Sequence, residues 1–349
     1  MGAPSVSLTT GEQAGEYGTD FTMWRAWGEV HTPYGRFKAG RMPLNWGRGI
    51  WQNDGTTDDN GFKDYGDTAD RVSWEHLIDD QVYVMAAFDV NSAGYNNLLD
   101  DTKSANLGMA YRSERLVAGL NAQWRSRPID DFSLITASAA VDAEIGALEL
   151  HFEGVGQFGA GDLDNGANDV RITAGGAVLD ARISGDKLGA MLKLGFASGD
   201  GNSADANLHD FTFDRDYSIG IFMFEQPMPV LSTNGTGTGR NFDNTLTGTA
   251  ISNAIFVRPE VSREMIDDLS VNAAVVLARP AAAPSDNEER DSYGTEVDIG
   301  VDYSPYEHVE LSGTLGLFLP GSYYSEYDTD NFDFSRPALG GQLVTNIRF

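Results

Sequence analysis

GGQLVTNIRF, residues 340–349, is the stretch from which the fold can be read. Leu343, Thr345, Ile347 and Phe349 share one face at period two, while Gln342, Asn346 and Arg348 share the other. Alternation of this kind marks a half-buried strand. The closing strand of a transmembrane barrel reads this way: apolar toward lipid, polar toward a lumen, and aromatic where the chain stops at the interface. The competing reading is the last strand of a soluble sandwich, and the upstream sequence separates the two.

Composition narrows the classes first. The chain has 349 residues with 52 acidic and 24 basic side chains, a net charge of -28. Nucleic acid is excluded as a partner, because its binders need a basic stripe to neutralise phosphates. No apolar run approaches the roughly 18 residues a spanning helix needs. MGAPSVSLTT, residues 1–10, has neither a basic n-region nor an apolar h-region, so it does not read as a signal peptide and suggests a processed start. With no cysteine there are no thiolate metal sites and no disulfides. Gly at 40, with Trp 6, Tyr 13 and Phe 18, suits many strands, tight turns and an aromatic girdle.

From Phe21 onward the chain reads as hairpins whose connections alternate between short and long. Short turns are expected at His31–Gly35, Asp79–Asp80, Ser113–Glu114, Ile145–Gly146, Gly185–Asp186, Asp267–Asp268 and Ser304–Tyr306. Long loops fall between them, as at Asn45–Asp70 and Gly159–Asn168. Outer-membrane barrels show this asymmetry, with periplasmic turns short and extracellular loops long. Faces can be assigned as well. Val82, Val84, Ala86, Phe88 and Val90 would meet lipid, as would Leu116, Leu120 and Trp124, and Leu188, Leu192, Leu194 and Phe196. The strands run about 10 residues, the length a tilted strand needs to cross hydrocarbon, whereas sandwich strands average about 5–6.

The expected fold is therefore all-β, a transmembrane antiparallel up-and-down barrel. Residues 1–20 read as an N-terminal loop or partial strand, and 21–349 as a single barrel. Residues 198–246 interrupt the alternation and read as one long extracellular excursion over or into the mouth, in preference to a spanning strand at Ile219–Phe224. About 15 spanning strands follow Phe21, whereas single-chain bacterial barrels have an even number. Phe21–Val30 and the closing strand would both run from outside to inside. Either Ser5–Thr10 supplies the missing partner, giving about 16 strands, or the partner lies upstream of Met1.

Three runs carry a resemblance: residues 22–55, TMWRAWGEVHTPYGRFKAGRMPLNWGRGIWQNDG; residues 64–72, DYGDTADRV; and residues 192–202, LKLGFASGDGN. The chain resembles outer-membrane barrel proteins of myxobacteria, which are similar in turn to the alginate-export type of outer-membrane channel. The resemblance implies about 18 strands, with an N-terminal set ahead of the equivalent of Phe21, and a pore lined by basic residues. The inward positions follow this only in part. Arg25, Arg36, Lys38, Arg71, Arg112, Arg125 and Lys193 would point inward, but so would Glu29, Glu75, Asp89, Asp142, Glu144, Glu149, Glu153, Glu296, Asp298 and Glu310.

Charges facing a low-dielectric pore select what passes, so Arg25, Glu29, Arg36, Lys38, Arg71, Glu75, Asp89, Arg112, Arg125, Asp142, Glu149, Lys193, Glu296 and Asp298 are the candidate pore-lining residues. They form either a basic strip facing an acidic wall or a lumen closed by salt bridges. Asp162 with Asp164, and Asp200 with Asp205, are weak calcium candidates, because hard oxygen ligands at such spacing can hold the ion. Their bland reading is solvated loop. A rim hydrolase would need a histidine beside a nucleophile; only His151 and His209 are placed for it, and neither lies in a nucleophile motif. The expectation is a passive, cofactor-free, non-enzymatic outer-membrane porin or export channel for small polar solutes or a polysaccharide. The alternative is an occluded barrel with a structural or interaction role at the surface. Lipid, lipopolysaccharide and the barrel-assembly machinery, reading the C-terminal strand, are the expected partners.

Overall fold

The computed structural model describes residues 5–7, 20–22, 24–55, 66–91, 102–128, 131–162, 169–201, 205–225, 250–283, 291–324, 328–329, 332–333 and 336–347. Two short strands, β1 (Ser5–Ser7) and β2 (Asp20–Thr22), precede β3 (Ala26–Thr32), β4 (Gly35–Pro43), β5 (Thr68–Ile78), β6 (Val82–Asn91), β7 (Thr102–Arg112) and β8 (Leu116–Arg127). Then come β9 (Phe132–Ile145), β10 (Leu148–Asp162), β11 (Asp169–Ser184), β12 (Leu188–Ala197) and the two-residue β13 (Asn207–Leu208). The chain continues with β14 (Ala254–Ile266), β15 (Leu269–Pro280), β16 (Gly294–Tyr306), β17 (Val309–Pro320), the small hairpin β18 (Asp328–Thr329) and β19 (Phe332–Asp333), and β20 (Ala338–Ile347).

One 16-stranded sheet holds the chain together. Its strands pair antiparallel with their neighbours in sequence from β3 to β20; β13 alone stands off this path, pairing parallel with β11. This is an up-and-down transmembrane β-barrel. The long β10–β11 ladder runs without a slip from Leu148↔Ile183 to Asp162↔Asp169, so both strands project beyond their neighbours at the loop end, where β13 joins them. Turn chemistry follows the sequence. Asp79 and Asp80 both sit at positive φ, 52° and 56°, as the central residues of a type I′ turn require and as Asp tolerates, and Gln81 N closes the turn on Ile78 O at 3.3 Å.

Several boundaries differ from the sequence reading: the loop expected at Gly159–Asn168 begins later because β10 runs to Asp162, and the one expected at Asn45–Asp70 ends earlier because β5 begins at Thr68. The strand expected from Phe21 is split: Asp20–Thr22 pairs with Ser5–Ser7 in a separate two-stranded sheet, and the wall strand begins at Ala26. The turn expected at Ser304–Tyr306 falls at Glu307–His308, because the β16–β17 ladder shifts register between Tyr303 and Tyr306 and lets the strand run through Pro305. At the seam, β3 is paired only with β4 and β20 only with β17 among the described residues. Ser5–Ser7, the segment weighed as the closing partner, bonds to β2 instead.

The burial pattern is inverted relative to a soluble protein. Leu107, Leu188, Leu315 and Leu343 are 64–76% exposed, while Asp89, Glu153 and Glu296 are 0% exposed. Alternate residues of each strand thus present an apolar outer belt, the surface a hydrocarbon solvent demands. Leu120, 56% exposed on the outer face of β8, tests this. Leu120→Arg is expected to destabilise the folded barrel by about 2–4 kcal/mol in denaturant unfolding from lipid vesicles, and an unchanged midpoint would contradict a lipid-facing surface there.

Candidate functional site in the lumen

The inner face of the wall carries the polar half of the alternation. On β5 to β8 it forms a ladder of side chains bonded from strand to strand: Arg71 clasps the opposed Asp89 at 2.6 Å, Asn106 Nδ2 donates diagonally to Asp89 at 2.7 Å, and Gln123 Nε2 donates to the opposed Asn106 Oδ1 at 3.0 Å. All four side chains are buried. Beside them Arg36 and Lys38 both hold Glu75, Lys38 Nζ at 2.8 Å. Arg36, Lys38 and Arg71 are thus neutralised by carboxylates at neighbouring register positions.

Two segments leave the sheet and fold inward from the loop end. The first, residues 44–55, is pinned to the far wall: Trp46 Nε1 donates to Ser138 Oγ at 2.9 Å, and the amides of Arg48 and Ile50 donate to Glu153 Oε2 at 2.7 and 3.2 Å. The Arg48 guanidinium adds an ion pair to Asp180 at 2.9 Å. Gly47 is at φ 56°, and a Cβ there would lie 2.8 Å from the Glu153 carboxyl, so only glycine lets the backbone come this close. The second segment, residues 209–225, hangs from Glu296. The amides of Ile221, Phe222 and Met223 donate to its two oxygens at 2.7, 2.8 and 2.7 Å.

The two segments also join each other. Asp214 N donates to Ile50 O at 2.9 Å, and Asp67 and Asp214 share a hydrogen bond between their carboxyl groups. Burial first, and then the neighbouring carboxylates Asp67 and Asp216, push Asp214 up to about 8. Burial likewise raises Asp67 above the usual carboxylate range. Around this junction Ile50, Phe211, Phe213, Tyr217, Ile219 and Met223 pack on Val155, Val178, Phe256, Val276 and Phe318 of the wall. Phe213 meets Phe211, Tyr217 and Phe256 edge-on at 5.3–6.4 Å, and Lys193 Nζ lies 5.1 Å from the Tyr217 ring centre. The hydrophobic core of this protein lies inside the barrel, in its loop half.

The turn half of the lumen keeps a cavity of about 560 Å³ against β11 to β20. Its charged lining is Arg182, Arg258, Glu260, Asp298, Asp302 and Glu310, among amides and hydroxyls such as Asn272, Gln342 and Thr314. Arg258 pairs with Glu260 at 2.6 Å, and Asn272 Nδ2 donates to Asp302 at 3.1 Å.

The charged residues expected inside fall at inner-face register positions, except Arg25, which precedes β3. Arg71, Glu75, Asp89, Lys193, Glu296 and Asp298 are buried there; Arg25, Arg36, Lys38, Arg125 and Glu149 are half-buried; Glu29, Arg112 and Asp142 are exposed near the turns. Glu296, however, serves a backbone segment, and Glu75 and Asp89 serve cations of the wall. Among the described residues no three histidines or carboxylates converge to hold a metal. Asp200 N bonds Asp210 and Asp205 caps Asn207 N, while the Asp162 side chain and Asp164 lie outside the described residues, as does Phe349. His151 bonds Asp142 at 2.7 Å and His209 bonds the Thr173 carbonyl at 2.9 Å. The sequence reading missed Trp46, Asp67, Asp214, Arg182 and Arg258. Alternation along β11 and β14 marks Arg182 and Arg258 as inward, but nothing local marks a loop residue as lumenal.

The wall, its outer belt and its infolded segments define the fold of an outer-membrane β-barrel. No protein-family model and no curated protein matches the chain. Among solved structures, OccK11 (OpdR) of Pseudomonas aeruginosa is similar at TM-score 0.51 and 10% identity, over 89% of this chain and 76% of that one. OpdK of the same organism is similar at 0.51 and 12%, over 91% and 78%, and OccK8 (OprE) at 0.50 and 10%, over 91% and 78%. At these identities the likeness establishes the fold.

The geometry predicts what removing an anchor does. Glu296→Ala takes the acceptor from three successive amides, and hydrogen exchange at Ile221–Met223 is expected to lose about 2–3 kcal/mol of protection, roughly 30- to 150-fold. Glu296→Gln, which keeps a carbonyl acceptor, should lose less; equal protection in all three proteins would show that the segment does not depend on this carboxylate.

Proposed function

We propose that the chain is an outer-membrane porin, passive and without cofactor, whose lumen is narrowed by residues 44–55 and 209–225 and admits small polar solutes. The observation that carries this reading is the cavity in the turn half, lined by charged, amide and hydroxyl groups where a closed structural barrel would pack apolar side chains. The barrel fold shared with outer-membrane porins supports it. Export of a polysaccharide rests on the sequence resemblance alone, and the basic side chains Arg36, Lys38 and Arg71 that an acidic polymer would meet are paired with carboxylates. The second reading, an occluded barrel with a surface role, is favoured by one specific observation: the infolded segments share a buried apolar core with the wall. Lipopolysaccharide on the outer rim and assembly machinery at the closing strand are the partners that fit a porin.

Single-channel recording in planar bilayers separates the two readings. The porin predicts stable conductance steps, larger in Glu296→Ala because the second segment is no longer hung from the wall. A folded, inserted protein that stays silent in both forms would exclude a channel and leave the occluded barrel.

A further inference from the structure

We propose that the hydrogen-bonded carboxyl pair Asp67–Asp214 is a proton-operated latch between the two infolded segments, so that loss of its proton parts them and widens the mouth of the lumen. This goes beyond the porin reading, and only its conductance readout rests on that reading. Each carboxyl is fixed to its own segment. Asp67 N donates to Asn53 O at 2.7 Å and Asp67 O accepts from Leu44 N at 2.9 Å, which ties it to both ends of residues 44–53. Asp214 N donates to Ile50 O at 2.9 Å, its Oδ1 accepts from Asp216 N at 2.9 Å, and its carbonyl accepts from Tyr217 N at 3.1 Å, which ties it to the start of the second segment. The join between the two side chains is therefore a join between the two segments.

Two carboxyl groups bond each other only when one carries a proton, since an ionised carboxylate is acceptor-only. The groups that face the pair are Asp216, fully buried, and Arg125 of β8, which in turn faces Asp89 of β6. Arg125 offsets one negative charge. Once the proton is lost, half-buried Asp67 and Asp214 stand as carboxylates beside buried Asp216, and like charges at such range repel.

The sign follows from linkage. Asp214 titrates near 8 when joined and near 4 when parted and hydrated. The joined state thus holds a proton that the parted state has released, and its advantage is complete below about pH 4 and lost by about pH 8. Between those limits the ratio of parted to joined protein rises by up to about tenfold per pH unit, and above them it levels off.

The test uses the absence of native cysteine. Ser218, 5% exposed inside the second segment, becomes a single thiol probe in Ser218→Cys, labelled by a maleimide in the vesicle-inserted protein between pH 5 and 9. The same thiol in an Asp214→Asn background gives the reference, because the amide donates to Asp67 without needing a proton and keeps the segments joined at every pH. Labelling that climbs with pH relative to this reference by up to about tenfold per unit, then levels near pH 8, supports the latch; identical profiles in the two backgrounds overturn it. If Asp214→Asn does not fold, Asp67→Asn places the amide on the other side of the same bond and serves as the reference. Conductance rising with the same profile joins the latch to permeation. A silent barrel with pH-dependent labelling would overturn the porin reading and leave the latch standing.

Discussion

A backbone amide that leaves the sheet inside a barrel must still find an acceptor, and this constraint organises the lumen. The wall strands satisfy one another through antiparallel ladders, as any span through hydrocarbon must. Residues 44–55 and 209–225 have no such ladder, and many of their residues are buried. The wall lends them acceptors instead: Glu153 takes the amides of Arg48 and Ile50, and Glu296 takes those of Ile221, Phe222 and Met223. Charge-assisted bonds of this kind are about twice as strong as neutral ones.

The anchors divide the lumen along its axis. Above them, aromatic and branched side chains of the segments meet an unusually apolar inner wall, Val155, Val178, Phe256, Val276 and Phe318. Below them the inner wall returns to polar and charged residues around the cavity. On β5 to β8 the polar residues instead bond to one another around the hoop, Arg71 to Asp89 to Asn106 to Gln123, so each member holds its neighbour in place.

Much of the fold was legible because period-two alternation and turn residues are local signals. GGQLVTNIRF, VYVMAAFDVN and LGAMLKLGFA each state their two faces in about ten residues. The inner-face register of Arg71, Asp89 and Glu296 followed from the same alternation. Their roles did not, because a role depends on what arrives from elsewhere: Glu296 meets amides some 73–75 residues away in sequence. Asp67 and Asp214 were invisible for the same reason, each being an ordinary loop aspartate until the other is beside it. The break between Thr22 and Ala26 and the shift at Tyr303 were missed because bulges and strand breaks alter pairing without altering hydrophobic pattern.

The separation of segment from anchor also orders assembly. The amides of Arg48 and Ile50 wait for an acceptor 103–105 residues downstream, and those of Ile221–Met223 wait for one in β16. Loop-closure entropy delays contacts between residues so far apart, whereas each hairpin of the wall forms between neighbours. The hairpins of the wall therefore form ahead of these contacts, and the packing of the upper lumen follows the strands that anchor it.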